Sequence, residues 1–272
     1  MKREILSSKW MLILLILGLT ANACKKDKPE TAKLKEASKN SFVPRLNTKY
    51  TYSIIEDDVN IGTATKWIDG GKDSTGLQVY NLHTNIAAHG MDMALDNSLY
   101  VTNGKTYTSF NMPDAWYALV AELKKTPNVV VEEAKTTGFP GYMVMENAIR
   151  ENATLTWEIP GITGQYLRYI QKQSGSNTTF ELTQEIVQKP GTAVAVETIT
   201  VPGGTFVCSK FVYTSSQQQI IKVDGKQMMS RDGTETITLW MAHGVGVVKQ
   251  ENTTVFGGTT SNSTIVLNNI KS

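Results

Sequence analysis

The sequence predicts an all-β protein built mainly from antiparallel strands, and three features of its 272 residues support this class. Apolar and polar residues alternate through most of the chain from Tyr50 onward, as is typical of half-buried antiparallel strands. Thr, Val and Ile dominate the second half, in agreement with their strand propensity. Asn-Gly, Asp-Gly and Pro-Gly pairs separate the alternating runs and indicate tight turns.

Five alternating runs precede the first helical pattern. They are residues 50–55, 60–68, 77–84, 98–102 and 105–110. The connectors DGGKD at 69–73 and TNGK at 102–105 carry the dipeptides of two-residue turns, so we expect hairpins at both places.

A single amphipathic helix is predicted over residues 112–125. Asp114 suits the start of the helix, Lys124 and Lys125 suit its end, and Pro127 stops it. An apolar stripe of this kind is most often a core face, but it could also plug or cover a cleft. The stripe consists of Trp116, Leu119, Val120 and Leu123.

The second half of the chain is rich in predicted strands, whereas residues 136–163 give a weak pattern. The candidates are 153–159, 165–173, 178–188, 192–201, 204–214, 219–229, 234–242, 245–253 and 263–270. Asp224-Gly225, Pro190-Gly191 and Pro202-Gly203 mark turns among them. We therefore expect one domain, a strongly curved open sheet or half-barrel wrapped around the helix, with a β-sandwich as the alternative.

The stretch WMAHGVGVVKQE, from Trp240 to Glu251, could suggest a glycine-rich phosphate loop. A dinucleotide-binding fingerprint needs a third glycine on a strand-to-helix turn, but Lys249 follows the two valines and no helical pattern comes after it. The stretch instead predicts the corner of an antiparallel hairpin, where Gly246 allows a bulge or a close approach of another strand.

The N-terminus has the order of a secretory signal peptide. Lys2, Arg3 and Lys9 precede an apolar run over residues 10–19, which is too short to span a bilayer. Small residues then lead to Ala23 and Cys24, as in a bacterial lipobox. We predict cleavage after Ala23 and acylation of Cys24, which would anchor the protein in a membrane; ordinary secretion with an unmodified cysteine is the alternative.

The predicted domain organisation follows from this processing. Residues 1–23 form the signal peptide, residues 24–45 a lipidated cysteine with a charged, flexible tether, and residues 46–272 the β-rich domain. Lys25 follows the cysteine, where an aspartate would resemble a signal for inner-membrane retention. In a Gram-negative host this favours the outer membrane.

The charge balance and the cysteine content argue against two classes of protein, nucleic-acid-binding proteins and domains held by disulfides. The first 23 residues hold three basic and one acidic side chain, so the 27 basic and 25 acidic residues of the chain become 24 of each after processing. A neutral balance argues against nucleic-acid binding, which needs a dense basic face. Acylation of Cys24 leaves Cys208 unpaired, which excludes a disulfide framework and predicts a buried thiol.

Two C-terminal runs, 200–210 and 238–251, resemble the TapB-like family of bacterial envelope proteins, whose function is largely unassigned. The matching residues are Pro202, Gly204, Phe206, Cys208, Trp240, Gly244, Gly246, Val248 and Lys249. His243 departs from the pattern, which has a proline or a small residue there. The resemblance implies an antiparallel sheet curved around a helix, similar to periplasmic carriers of lipoproteins, with structural roles for the matching residues and no catalytic ones.

No motif for catalysis, metal binding or a cofactor stands out. His83 and His89 would lie about 20 Å apart on one strand, too far to share a metal unless the chain turns between them, and HExxH, G-x-S-x-G and P-loop motifs are absent. The sequence thus favours a non-enzymatic envelope lipoprotein that binds an apolar or lipid-like ligand in a concave cleft. A module that binds another envelope protein or a glycan is the second hypothesis, and an enzyme such as a hydrolase is the third.

Overall fold

The computed structural model describes residues 39–74, 77–112, 114–158 and 162–272. These residues form fifteen strands and one helix. In chain order they are β1 (Lys49–Glu56), β2 (Val59–Ser74), β3 (Leu77–Ala88), β4 (Met91–Thr102), β5 (Lys105–Phe110), α1 (Asp114–Lys125), β6 (Val129–Thr137), β7 (Gly141–Glu146), β8 (Thr154–Glu158), β9 (Ile162–Gln173), β10 (Ser176–Gln188), β11 (Gly191–Val201), β12 (Gly204–Val223), β13 (Lys226–Ala242), β14 (Gly246–Phe256) and β15 (Thr259–Lys271).

Twelve strands close into a barrel, in the order β11-β8-β7-β5-β4-β3-β2-β1-β15-β14-β13-β12. The barrel closes where β11 pairs with β12, from Thr192 opposite Val212 to Val201 opposite Gly204. The predicted all-β, antiparallel class is confirmed. The predicted open sheet or half-barrel is wrong, because the sheet returns on itself.

The long strand β12 belongs to two parts of the molecule. Its first part pairs with β11 in the barrel, and its second part, Ser215 to Val223, pairs with β10. β9 and β6 follow β10, so these three strands leave the barrel as an extension that ends at the edge strand β6. The helix packs on this extension and not inside the barrel, which corrects the expectation of a sheet wrapped around it.

Among the three turns predicted from Asn-Gly and Asp-Gly pairs, two are confirmed as hairpins and one is wrong. Asn103-Gly104 and Asp224-Gly225 both have positive φ angles and join consecutive paired strands, as a type I′ turn requires. The predicted turn at 69–73 is instead part of β2, which continues to Ser74. A register shift between Asp69 and Lys72 accommodates the two glycines within the strand as an irregularity of the ladder.

The barrel is filled by clusters of buried apolar side chains. One cluster surrounds Tyr50 and Tyr52, a second surrounds Phe211, and a third surrounds Tyr80. The largest fully buried side chains of the three clusters are Tyr50, Tyr52, Tyr80, Phe42, Phe211, Ile68, Met145, Leu155 and Leu267. The interior is therefore a packed core of the kind that holds a domain together.

Residues 41–48, which we call the plug segment, run between the barrel walls. Phe42 packs with Met145 of β7 and Phe211 of β12, whereas its neighbour Val43 packs with Tyr80 on the other side of the barrel. Consecutive side chains can reach both walls only if the backbone lies between them. The folded part thus includes residues 41–45, which the sequence assigned to the tether, while residues 24–38 lie outside the described residues.

Hydrogen bonds fasten the plug segment to the turn between β13 and β14. The Gly244 N–H donates to the Ser41 carbonyl at 3.0 Å, and the Arg45 N–H donates to the Gly244 carbonyl at 3.2 Å. The Tyr50 hydroxyl also donates to the Gly244 carbonyl, at 2.9 Å. At Gly246 a Cβ atom would lie 3.2 Å from the Phe42 carbonyl oxygen, so this glycine provides the predicted close approach.

Candidate functional site

The predicted apolar stripe of α1 is divided between the core and the surface. Trp116 and Val120 are buried against Leu167 of β9, and Leu123 packs on the same cluster. Leu119 is 39% exposed and lies outside it. Asp114 in the first turn and two lysines in the last turn complement the helix dipole, so the sequence fixes both the helix and its buried face.

A groove of about 360 Å³ opens between α1 and β6, and we call it the α1–β6 groove. One wall comes from the helix and the other from the edge strand. Its lining residues are Trp116, Tyr117, Val120, Ala121, Lys124, Ala134 and Thr136. Two of the four residues predicted to form a cleft or lid, Trp116 and Val120, thus line it, and a volume of this size suits a small ligand.

A row of glutamines lies behind the β6 wall. Thr136 pairs with Gln165 of β9, Gln165 pairs with Gln184 of β10, and Gln184 pairs with Gln219 of β12. Directly opposed residues share one face of an antiparallel sheet, and neighbouring strands lie about 4.8 Å apart. Gln165, Gln184 and Gln219, which we call the glutamine row, therefore extend from the groove along the inner face of the extension.

The side chains of the glutamine row are buried, but their amide oxygens lack hydrogen-bond donors among the described residues. Gln165, Gln184 and Gln219 are 9%, 7% and 7% exposed, and their amide oxygens accept no hydrogen bond from the described residues. A buried polar atom without a partner costs about 1–3 kcal/mol, and native proteins keep few of them. Such a row next to a groove is suited to hold the polar part of a bound molecule.

A second polar layer lies farther along the same face. Ser215 of β12 pairs with Glu235 of β13, and Glu235 pairs with Thr254 of β14. Burial raises the pKa of Glu235 to about 7, although a hydrogen bond with Thr254 opposes this shift. Glu235 therefore changes its charge near neutral pH inside a polar but largely solvent-excluded layer.

We expect Glu235→Gln to stabilise the protein above neutral pH. A raised carboxyl pKa means that the folded state keeps a proton that the unfolded chain has released, so stability falls as pH rises from about 4.5 to about 7. The substitution should remove this fall and increase the free energy of unfolding at about pH 8 by up to about 3 kcal/mol. Urea denaturation at about pH 5 and about pH 8 measures the difference. The exposed Glu185→Gln is the control, and an equal pH dependence in both variants would contradict the assignment.

Three of the resemblance residues, Pro202, Trp240 and Lys249, line a second cleft of about 440 Å³ at the β11–β12 hairpin. The Trp240 Nε1–H donates to Glu197 at 3.0 Å, and the ammonium groups of Lys210 and Lys249 each lie 4.9 Å from the indole ring. These hydrogen bonds, first with Trp240 and then with Lys210, lower the pKa of Glu197. Since Trp240 is buried and these polar groups bind one another, the cluster has the character of structural packing.

The other resemblance residues also have structural positions. Pro202 and Lys249 line the second cleft, Phe206 packs against the Tyr50 cluster, and Gly244 and Gly246 hold the turn over the plug segment. Gly204 has a φ of +133°, which favours glycine where β12 begins. Cys208 is fully buried, as predicted, and burial followed by the charge of Glu197 raises its pKa to about 12. This thiol is therefore unreactive in the folded protein.

The three histidines have separate surroundings. His83 stacks on Trp67 and lies between Asp69, at 3.0 Å, and Asp96, at 2.5 Å; burial lowers its pKa, but the two carboxylates outweigh this and raise it. His89 lies 3.1 Å from Glu56. His243 Nε2 lies 2.6 Å from the Asn147 carbonyl oxygen beside the plug segment, so that nitrogen carries the hydrogen.

The described residues contain neither a metal-site geometry nor a membrane-spanning helix. Across the described ranges, no group of three or more His, Cys, Asp or Glu side chains is arranged to hold a metal ion. In the same part of the chain, α1 does not have the length and hydrophobicity of a membrane-spanning helix. The predicted cleavage site at Ala23 and the predicted acylation site at Cys24 lie outside the described residues.

Sequence reasoning found the helix wall of the groove but missed the glutamine row. The available signal was a set of glutamines at strand positions, including the alternating pair Gln217 and Gln219. Alternation places such residues on one face but does not say whether that face is exposed or covered. Only the tertiary structure shows that these glutamines are buried.

Comparison with known proteins gives a partial family match. A family model described as DUF3108-like matches residues 170–265, a range that contains the residues of the two C-terminal runs. The TapB-like resemblance is not confirmed by it. A search of curated proteins found no significant match.

Two solved structures from other bacteria are similar to this chain. One, from Bacteroides fragilis, is proposed to be an exported protein with a YmcC-like fold and has a TM-score of 0.44. The other, from Parabacteroides distasonis, is proposed to be a lipoprotein and has a TM-score of 0.45. Each is 16% identical to this chain and covers 85% of it and 99% of its own chain. At these values the likeness carries no argument about function.

Proposed function

We propose that this chain is a non-enzymatic lipoprotein of the cell envelope that binds a small amphiphilic molecule in the α1–β6 groove. The observation that carries the proposal is the pairing of an apolar helix wall with a buried glutamine row whose amide oxygens accept no hydrogen bond from the described residues. The barrel is filled by its core and the plug segment, so the groove replaces the concave sheet interior as the ligand site. A bound molecule would cover apolar surface and supply the missing hydrogen bonds together.

The membrane anchor in this proposal rests on the N-terminal sequence. A short apolar run leads to Ala23 and Cys24, and a charged segment follows at once. Several acyl chains on Cys24 would hold the protein durably on a bilayer. In a Gram-negative host, Lys25 favours the outer membrane.

Photo-crosslinking of the full-length protein in nanodiscs tests the groove. The probe is a single-chain amphiphile, a monoacylglycerol that carries a diazirine in its acyl chain. We expect labelled peptides from residues 114–125 and 129–137. Ala121→Phe, which fills the groove from an exposed lining position, should reduce specific labelling about tenfold, equivalent to about 1.4 kcal/mol.

Ala118→Phe is the matched control, because Ala118 is exposed on the same helix but does not line the groove. It should label as strongly as the unmodified chain. Equal labelling of both variants would show that the probe binds elsewhere. Absence of any saturable labelling would overturn the proposed function itself.

A second candidate function is an interaction module that binds an extended segment of another envelope protein. It is favoured by β6, which among the described strands pairs with β9 alone and so leaves the outer edge of the extension open, with Val130 exposed. Edge strands with free N–H and C=O groups accept a further strand. A single stoichiometric protein crosslinked to residues 129–137 in whole cells would favour this function over small-molecule binding.

A further inference from the structure

We infer that the molecule held in the α1–β6 groove is electrically neutral and places hydroxyl or amide groups at its buried end. This inference rests on the proposed function and adds the chemical class of the ligand. It comes from the glutamine row, whose three side chains lie on adjacent strands of one sheet face. The acyl or other apolar part of the ligand would lie along Trp116 and Val120 of the helix wall.

The glutamine row is suited to neutral polar groups because of its chemistry. Each carboxamide offers two N–H donors and one carbonyl acceptor but no net charge. Gln165 is the strand partner of Thr136, which lines the groove, so it is the member of the row nearest to the groove. Hydroxyl and amide groups can both donate and accept, and they match a row of carboxamides in either orientation of the amide.

The charges near the row are poorly placed for an anionic group. Arg231 pairs with Gln219 at the far end, and it already interacts with other groups. The nearest acid of the next polar layer is Glu235, on β13. Lys124 lies on the helix at the groove itself, so an anionic head would remain there and would leave the glutamine row unoccupied. Burying an anion beside the row without a counter-ion is unfavourable.

Competition for photo-crosslinking tests the inference in the full-length protein. The probe is the diazirine monoacylglycerol, and the competitors are monodecanoylglycerol, decanoate and decyl phosphate, which share similar chain lengths. We expect monodecanoylglycerol to compete about tenfold more effectively than either anion. Gln184→Met should reduce this preference to about twofold or less, because it removes the central carboxamide.

Gln218→Met is the matched control, since Gln218 is exposed on the opposite face of β12 and next to Gln219 in sequence. It should keep the preference. The melting temperature of Gln184→Met should be equal to or above that of the unmodified chain, because the change removes a buried amide oxygen without a partner.

The possible failures are distinguishable. Decanoate or decyl phosphate competing as well as monodecanoylglycerol would overturn the neutral-ligand inference while the groove stays a binding site. A preference that survives Gln184→Met would also overturn it, because the glutamine row would then play no part. Absence of saturable labelling in the groove would instead reject the proposed function.

Discussion

Replacing Phe42 by alanine is expected to lower the free energy of unfolding by about 3–5 kcal/mol. Phe42 is 1% exposed, and its ring makes an edge-to-face contact with Phe211 at 5.8 Å between centroids. Its backbone N–H also donates to Asn147 Oδ1 at 3.4 Å, so the surrounding backbone is held and cannot collapse into the space left by the ring. Urea denaturation at constant pH measures the change.

Tyr117→Ala is the control for the loss of an aromatic ring, because Tyr117 is 55% exposed on α1. It should change stability by less than about 0.5 kcal/mol. A loss for Phe42→Ala as small as that of the control would mean that the plug segment does not support the barrel core. The assignment of residues 41–45 to the folded domain would then fail.

Replacing Cys24 by alanine is expected to move the protein from the membrane fraction to the soluble fraction. Each buried CH₂ group of an acyl chain contributes about 0.8 kcal/mol to membrane binding, and durable anchoring needs more than one chain. Loss of all chains should lower the membrane-bound to soluble ratio by about 100-fold or more. Fractionation of cells, followed by immunoblotting, measures the ratio for the cleaved protein, because Ala21 and Ala23 keep the small-residue pattern at which ordinary signal peptides are cleaved.

Cys208→Ala is the matched control, because it removes the other cysteine of the chain and leaves the predicted lipobox intact. It should remain in the membrane fraction, although loss of the buried thiol will reduce stability slightly. A Cys24→Ala protein that stays bound and processed as before would show that something other than acylation holds it at the membrane. The lipoprotein part of the proposed function would then be rejected.

The strands and turns could be read from the sequence because their signals are local. Alternation identified most strands, and Asn103-Gly104 and Asp224-Gly225 marked their turns through φ angles that glycine tolerates. The same local rule failed at Asp69, where the ladder absorbs two glycines within a long strand. Residue propensity indicates which backbone conformations a segment can adopt, whereas pairing with neighbouring strands determines which one it adopts.

The candidate site was predicted only in part for a related reason. Trp116 and Val120 were found because helical spacing reveals a buried face. The glutamine row was not found, because its members come from three strands and their burial is a property of the assembled sheet. The sequence does not show whether a polar side chain will be covered by an element that is distant in the chain.

The sequence by itself determined the antiparallel all-β class, the amphipathic helix that precedes β6 and the burial of Cys208, because each depends on local periodicity or on residue chemistry. Tertiary structure alone decided that β11 closes the barrel on β12, that residues 41–48 fill its interior, and that a glutamine row lies behind the groove. These features depend on contacts between residues far apart in the chain. Bringing such distant residues together costs loop-closure entropy, which is offset by the burial of many side chains from different segments. The sequence of any one segment therefore does not reveal these features.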